Sequence, residues 1–592
     1  MNAKIRSILH TAWTEPRHFF FWLALLSLSC FAVVAAFTAL TQPPLVLAFV
    51  ALASILCFLV GIAAFMLAWI PPVRRLLAWL LRRRVLVLAC LATLVALFYT
   101  VENWRGRRAW QSFKGEREAK GDRVDIASLL PPPVPKDQNF FETPLWSHLH
   151  FVKTNGSTVW SETGTNWHRE RVLFDAFGPK ANNAPGTGNW MKAERVDLAA
   201  WQAFYRGTNN LFAAPSGPPT NYFPVAREPQ APAADVLLAL SRFETNRQLL
   251  IAAAARPQAR FWCNYEDGFA ALLPHLAPLK ASSLYLWLHA DAALKAGDRQ
   301  TALEDVHLMF RLIESVRNEP LLISHLVRIA MLPIALQPVW EGLADRQWTE
   351  ADLSFIEREL GKLDFLADCQ FAMRGERAWD VWAVDFIRKL GGLEIIEDTP
   401  WQGQPSWAEE LGRFLGKAAF RLMPAGWFDR NKLSLCRYYE HYLLPLVIEP
   451  DRRIAPKSAI EHSDLVLKNL RWNPFNMLGR ILLPALGHVA DKFARGQAWA
   501  DLARVACALE RYRLANGQFP ETLDALAPKF IAKLPHDVIN GQPLKYRRTD
   551  DGRFVLYSVG SNETDDGGKV GLTKNGNLDW SKGDWVWRYP AR

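Results

Sequence analysis

A run of 56 residues, 18–73, contains no Asp, Glu, Lys or Arg. This run constrains the chain more than any other feature, because hydrocarbon excludes charge where a soluble surface needs it. Pro43-Pro44 divides the run into 19–41 and 45–70, and Pro71-Pro72 closes it. Each half exceeds the roughly 20 apolar residues that cross about 30 Å of hydrocarbon. A third apolar run, 85–101, sits at the short limit and ends among Phe98, Tyr99 and Trp104. Trp22, Trp69 and Trp79 also lie near segment ends, where an interfacial aromatic belt would place them. Residues 1–110 are therefore expected to form a membrane anchor of three transmembrane helices, 19–41, 45–70 and 85–101. A cleavable leader has an apolar core of about 7–15 residues and no second span directly after it. The first helix accordingly reads as an uncleaved anchor.

The formal charge of +10 suggests nucleic acid until it is located. Residues 1–110 hold 11 Lys/Arg against 2 Asp/Glu, and the remainder of the 592-residue chain holds 58 against 57. The basic excess belongs to the anchor, so no nucleic-acid partner is expected. Arg74, Arg75, Arg82, Arg83 and Arg84 separate the second and third runs, whereas 41–44 carries no charge. The positive-inside bias places that arginine loop in the cytoplasm, together with the N-terminus and its Lys4, Arg6 and Arg17. Three spans then deliver the rest of the chain to the outside. The expected location is a bacterial inner membrane, multi-pass, with membrane lipid and other envelope proteins as partners. A 50% hydrophobic, 22% charged composition excludes a disordered chain, and seven cysteines are too few for a disulfide scaffold.

Residues 111–139 read as a linker, charged at first and then stiffened by the prolines of 129–135. Residues 140–485 read as a soluble domain, loop-rich and then helical. Within it, 177–232 is dense in Pro, Gly and Asn and is expected to form long surface loops around one helical pattern at 191–205. Prolines at 333, 338, 424, 445, 450, 474 and 484 are expected to break the later helices into short pieces. Thr349-Glu350-Ala351-Asp352 opens a helix with a capping-box pattern. A helical run over 284–296 ends at Gly297-Asp298, and "TALED" then opens a second helix with a stripe at Val306, Met309, Phe310 and Ile313. Residues 281–317 thus resemble one tetratricopeptide-like helical hairpin. Such repeats bury a continuous core only in about three copies, so a single αα-hairpin is expected.

Residues 486–592 form the most informative stretch. Phe493, Trp499, Leu502, Val505, Leu509 and Tyr512 mark one face of a long helix that Asn516-Gly517 stops. Alternating strands at 544–548 and 554–559 flank Asp550-Asp551-Gly552, a hairpin signal, and 584–589 reads as a third strand. The phrases "ALERYRLANGQFPETLDAL", "KLPHDVINGQPLKYR" and "FVLYSVGSNETDDGG" together resemble the major pseudopilin of type II secretion systems. The resemblance implies a long helix leading to a small antiparallel sheet, with an acidic loop that binds calcium. Asn562, Asp565 and Asp566 would then be metal ligands, since calcium takes six to eight hard oxygens. Without the resemblance, the same residues make an ordinary solvated turn. The family's N-terminal processing signature has no counterpart in residues 1–17.

No phosphate loop, dinucleotide glycine motif, His-Glu-x-x-His helix or Gly-x-Ser-x-Gly elbow is present. His148, His150 and His168 lie in an aromatic-rich stretch, and the cysteines show no Cys-x-x-Cys pair. No catalytic or cofactor-binding residue is singled out. The expected fold class is a membrane-anchored, mainly α chain with a small C-terminal α+β module. The expected role is scaffolding or interaction, linked to a secretion or pilus-like assembly. The alternative is a membrane-bound hydrolase with its site in loops 140–232, which converging polar side chains in a pocket would favour over aromatic contact surface.

Overall fold

The computed structural model describes residues 70–589, except 155–156, 161–172, 213–216, 266, 268–270, 391–417, 458–472 and 484–488. Before residue 70 it describes only 20–21, 24–25, 58–60, 62–63 and 65–66. The two expected spans at 19–41 and 45–70 therefore lie largely outside the described residues. The chain is mainly helical with a small C-terminal sheet region, and it divides into two units, 1–113 with 384–433 and 114–383 with 434–592.

Helix α1 (Arg84–Ala119), which belongs to the first unit up to Phe113, is 36 residues long and joins the expected short span to the charged residues after it. Its length from Val85 and its apolar composition suffice to cross a membrane, and none of its most apolar stretch is buried by protein. Val85, Leu88 and Leu94 are each more than 60% exposed, an arrangement that water disfavours and lipid favours. Just past the apolar stretch, Gly106 meets the backbone of Gly426, and Gly426 meets that of Glu102, leaving no room for a Cβ on either glycine. Asn103 accepts from the Gly426 N–H and Glu102 from the Trp427 indole, both at 2.9 Å.

The second unit is built on helices α2 (Leu276–Lys295), α3 (Arg299–Ser315) and α4 (Leu322–Ala344). The α2–α3 hairpin forms as its turn chemistry requires. Gly297 adopts φ +83°, and the Asp298 side chain caps α3 by accepting from the Thr301 N–H. Helix α5 (Glu350–Leu360) opens with the complete Thr349/Asp352 capping box, and α6 (Phe365–Leu390) follows.

Pro333 and Pro338 do not break α4, contrary to expectation: the helix runs through both. An interior proline costs roughly 3 kcal/mol through a lost hydrogen bond and a ring clash. Here Met331, Leu332, Ala335, Leu336, Val339 and Trp340 are all fully buried. Each large apolar side chain contributes about 1.5–3 kcal/mol on burial, so packing overrides the local preference. The apolar composition of α4 would also let it cross a membrane, yet two-thirds of its most apolar stretch is buried inside the protein.

Helix α7 (Val489–Asn516) ends where Gly517 takes φ +80°. It packs on an antiparallel sheet of order β5-β2-β1, where β1 is Lys545–Arg548, β2 is Phe554–Ser558 and β5 is Trp585–Arg588. Leu556 pairs with Tyr546 on one side and Trp587 on the other. Leu509, Phe554, Leu556 and Trp585 are buried, as the alternation of the strands requires. A separate hairpin, β3 (Val570–Leu572) with β4 (Leu578–Gly583), carries a bulge between Leu578 and Gly583.

A candidate binding site walled by tryptophans

The loops of 177–232 are not merely superficial. Trp190, Met191, Trp201, Phe204 and Tyr205 are buried, and the helix expected at 191–205 reduces to Leu198–Arg206. The segment 187–196 is clamped by α4. The Gln337 side chain accepts from the Trp190 N–H at 2.7 Å and donates to the Glu194 carbonyl at 3.1 Å. One turn on, Glu341 accepts from the Val196 N–H at 2.8 Å and from Gln337 at 3.0 Å. Gly188 sits at φ +69°, where a Cβ would strike the Gln337 amide, so only glycine lets the loop approach this closely. Asn189 then caps a short turn by accepting from the Met191 and Lys192 N–H groups.

This clamp sets Trp190 into one wall of a cavity of about 260 Å³. Trp287 from α2, Trp499 from α7 and Trp580 from the β4 bulge complete the aromatic lining. Trp190 and Trp499 meet edge to face at 6.1 Å, and the rings of Trp499 and Trp580 are tilted at 60° with centres 5.7 Å apart. Thr187 is exposed at the mouth, Leu284, Pro333, Ile334, Leu578 and Trp580 are half-buried, and Trp190, Trp287 and Trp499 are buried. The indole N–H groups of Trp190 and Trp499 are buried with no acceptor among the described residues. Behind the aromatic wall, the Arg495 guanidinium lies 4.1 Å from the Trp580 ring centre and 5.5 Å from that of Trp499. Arg495 is 9% exposed, and its Nε and Nη1 have no partner among the described residues. Burial lowers its pKa, and Asp491, 3.4 Å away, opposes that shift. One turn after Trp287, burial pushes the Asp291 carboxyl well above the usual carboxylate range.

Two buried histidines have carboxylate partners elsewhere in this unit. His289 Nδ1 lies 2.6 Å from Asp305, which also accepts from Arg247 Nε at 2.8 Å. His275 Nε2 lies 2.8 Å from Glu319, which in turn accepts from the Ser324 hydroxyl. Among the described residues neither imidazole is hydrogen-bonded to a hydroxyl or thiol, so neither pair forms a nucleophile–base couple. In loops 140–232, burial and the neighbouring His150 push His148 down to about 4, and His168 lies outside the described residues. Cys263, Cys369, Cys436 and Cys507 are buried free thiols. Burial pushes the first three up to about 12 and Cys507 higher still.

The sequence-derived ligands Asn562, Asp565 and Asp566 share one loop. Asp565 accepts from the Tyr557 hydroxyl and the Gly567 N–H, each at 3.0 Å, and lies 3.4 Å from Lys545. Asp566 accepts from the Asn562 amide at 2.8 Å. Asp584 holds the loop by accepting from the Asp566 and Gly568 N–H groups. The side chains so placed serve one another, Tyr557 and Lys545. Among the described residues no cluster of three or more His, Cys, Asp or Glu is arranged around a metal position.

The tryptophan cavity has no signature in the sequence, because its residues come from five distant stretches and follow no common period. Comparison with protein-family models, with curated proteins and with solved structures finds no match for this chain.

Proposed function

We propose that the chain is an integral membrane protein of the bacterial envelope whose large extracytoplasmic domain acts by recognition, as a scaffold or interaction protein. The observation that carries this reading is the cavity itself: four indoles among uncharged lining side chains suit contact with a ligand, and among the described residues no couple for bond cleavage lines it. Loops 140–232 contribute Thr187–Met191 to its wall, so the segment considered for a hydrolase supplies aromatic surface and backbone instead. The exposed apolar face of α1 supports anchoring. The C-terminal order of long helix, hairpin, acidic loop and third strand supports kinship with pseudopilins and a place in a secretion or pilus-like assembly, on fold analogy alone. Calcium at Asn562, Asp565 and Asp566 belongs to the same analogy.

The test is retention of envelope material by the detergent-solubilised full chain. Wild type should hold a component that Trp499→Ala/Trp580→Ala loses. Identical retention by both would remove the cavity from the function, and turnover of an envelope polymer by wild type would favour the hydrolase.

A further inference from the structure

Three of the five arginines between 74 and 84 lie on a helix, Pro71–Arg82, that comes just before α1. Pro71 opens it, where a fixed φ suits the first turn and no N–H is needed. Arg83 ends it with φ −104° and ψ 21°, and α1 starts at Arg84. Helical spacing puts Val73, Leu76, Leu77 and Leu80 on one face, with Trp79 and Leu81 at its two borders. Arg74, Arg75, Ala78 and Arg82 share the opposite face. Leu76 is 55% exposed and Trp79 52%, so the protein leaves both largely uncovered. At about 1.5 Å per residue the 12 residues extend roughly 18 Å, too short to cross about 30 Å of hydrocarbon.

We propose that this helix lies in the plane of the membrane interface and binds anionic phospholipid headgroups, an inference that rests on the anchoring reading above. Its position follows from α1. Val85, which is 77% exposed, begins the apolar stretch of α1 three residues after Arg82. If α1 enters hydrocarbon there, the preceding helix lies within a turn of the hydrocarbon edge. Such a helix sinks its leucine face to the acyl boundary, while long arginine stems carry their charges back to the headgroups. Trp79 at the border suits the same depth. A protein docked on the leucine face would gain nothing from arginines on the far side, whereas the interface uses both faces at once. The charge selects the lipid. No acidic residue occurs between Glu15 and Glu102, so nothing nearby along the chain neutralises the five arginines. The guanidinium fork matches a phosphate bidentately, and each arginine close to an anionic surface strengthens association about fivefold.

The experiment uses the purified full chain in detergent, titrated with phosphatidylglycerol and with phosphatidylcholine. Lipid bound per chain is counted by native mass spectrometry, a readout independent of orientation in the cell. Phosphatidylglycerol should bind about tenfold tighter or more, and Arg74→Gln/Arg75→Gln/Arg82→Gln should lose that preference. The corresponding triple lysine variant keeps the charge and should retain most of it, which separates charge from misfolding. Equal binding of the two lipids by wild type, or an unchanged preference in the glutamine variant, would overturn the proposal. Depth is read in vesicles of both lipids from spin labels at Ala78→Cys and Leu80→Cys, after subtraction of the labelled wild type, whose Cys90 is exposed. The label at 78 should meet water and the label at 80 acyl chains. Both labels in water would overturn the interfacial placement and leave the helix to solvent or to a protein partner. Release of the chain from membranes by alkaline carbonate would remove the anchoring reading itself. Retention in the membrane without a lipid preference would leave the anchor standing and end the lipid site alone.

Discussion

Asp380 is 2% exposed on α6, accepts from the Tyr439 hydroxyl at 2.7 Å, and follows Glu376 by one helical turn. Burial first, and the Glu376 charge second, push its carboxyl from 3.8 up to about 8, and burial pushes Glu376 up to about 7. Both acids therefore hold their protons in the fold under conditions where the unfolded chain has released them. With the folded pKa raised, their contribution to stability is fully present below about pH 4. It declines as pH rises and is lost as pH passes 7 to 8. Asp380→Asn keeps an acceptor for Tyr439 and removes the ionisation. Its melting temperature should gain on wild type between pH 5 and pH 8, and parallel pH profiles would show that Asp380 is ionised in the fold. A second expectation at this scale concerns Gly342 on α4, where a Cβ would strike the Trp348 indole that donates to the Val339 carbonyl at 3.0 Å. Gly342→Ala should lower stability by about 1–3 kcal/mol, the usual range for overpacking, measurable by chemical denaturation. A wild-type midpoint and slope would mean that the ring can move aside.

Elements whose chemistry is local were legible in the sequence. The Asp298 cap, the Thr349 capping box, the Gly517 stop and the turn before β2, where Gly552 takes φ +69°, each depend on a few neighbouring residues and occur where the residue types require them. Thr349→Ala removes an oxygen that accepts from the Asp352 N–H and should cost about 1 kcal/mol; an unchanged melting curve would mean that Asp352 alone holds the helix start. What was not legible depends on partners distant in sequence. Pro333 and Pro338 read locally as breaks, and only burial on several sides of α4 keeps the helix whole. The cavity was hidden for the same reason, since Trp190, Trp287, Trp499 and Trp580 meet only after loop, helices and hairpin have assembled. In the structure Asp565 lies 3.4 Å from the Lys545 ammonium and Asp566 accepts from the Asn562 amide, so calcium binding there would rearrange both contacts. If calcium binds, saturation at about 100 times the dissociation constant adds about 2.7 kcal/mol. The full chain should then melt higher in calcium than in chelator, and Asp565→Ala/Asp566→Ala should abolish the difference. Equal melting of wild type in both would leave the loop as a turn that Asp584 holds.

At the scale of the whole molecule, charge and apolar length jointly prescribe a topology that can be measured. Residues 111–592 are nearly neutral in sum, 58 basic against 57 acidic, so the basic excess is concentrated in residues 1–110. Five arginines between 74 and 84 and three basic residues before 18 lie on one side of the proposed spans, against Arg105, Arg107 and Arg108 on the other. Orientation follows the basic residues of short loops near span ends, and long domains translocate largely regardless of charge. On the proposed topology, eight against three predicts the arginine loop in the cytoplasm and the chain beyond α1 outside it. The outcome depends on whether α1 spans, and its exposed apolar length beginning at Val85 is what such a span needs. A reporter active only outside the cytoplasm should work when fused after Arg592 and stay silent when fused at Leu77. Replacing Arg82, Arg83 and Arg84 with Asn leaves five basic residues against three and should yield a mixed population with both fusions partly active. Activity at Leu77 with silence after Arg592 would invert the orientation, place the tryptophan cavity on the cytoplasmic side, and turn the search for its ligand from the cell envelope to the cell interior.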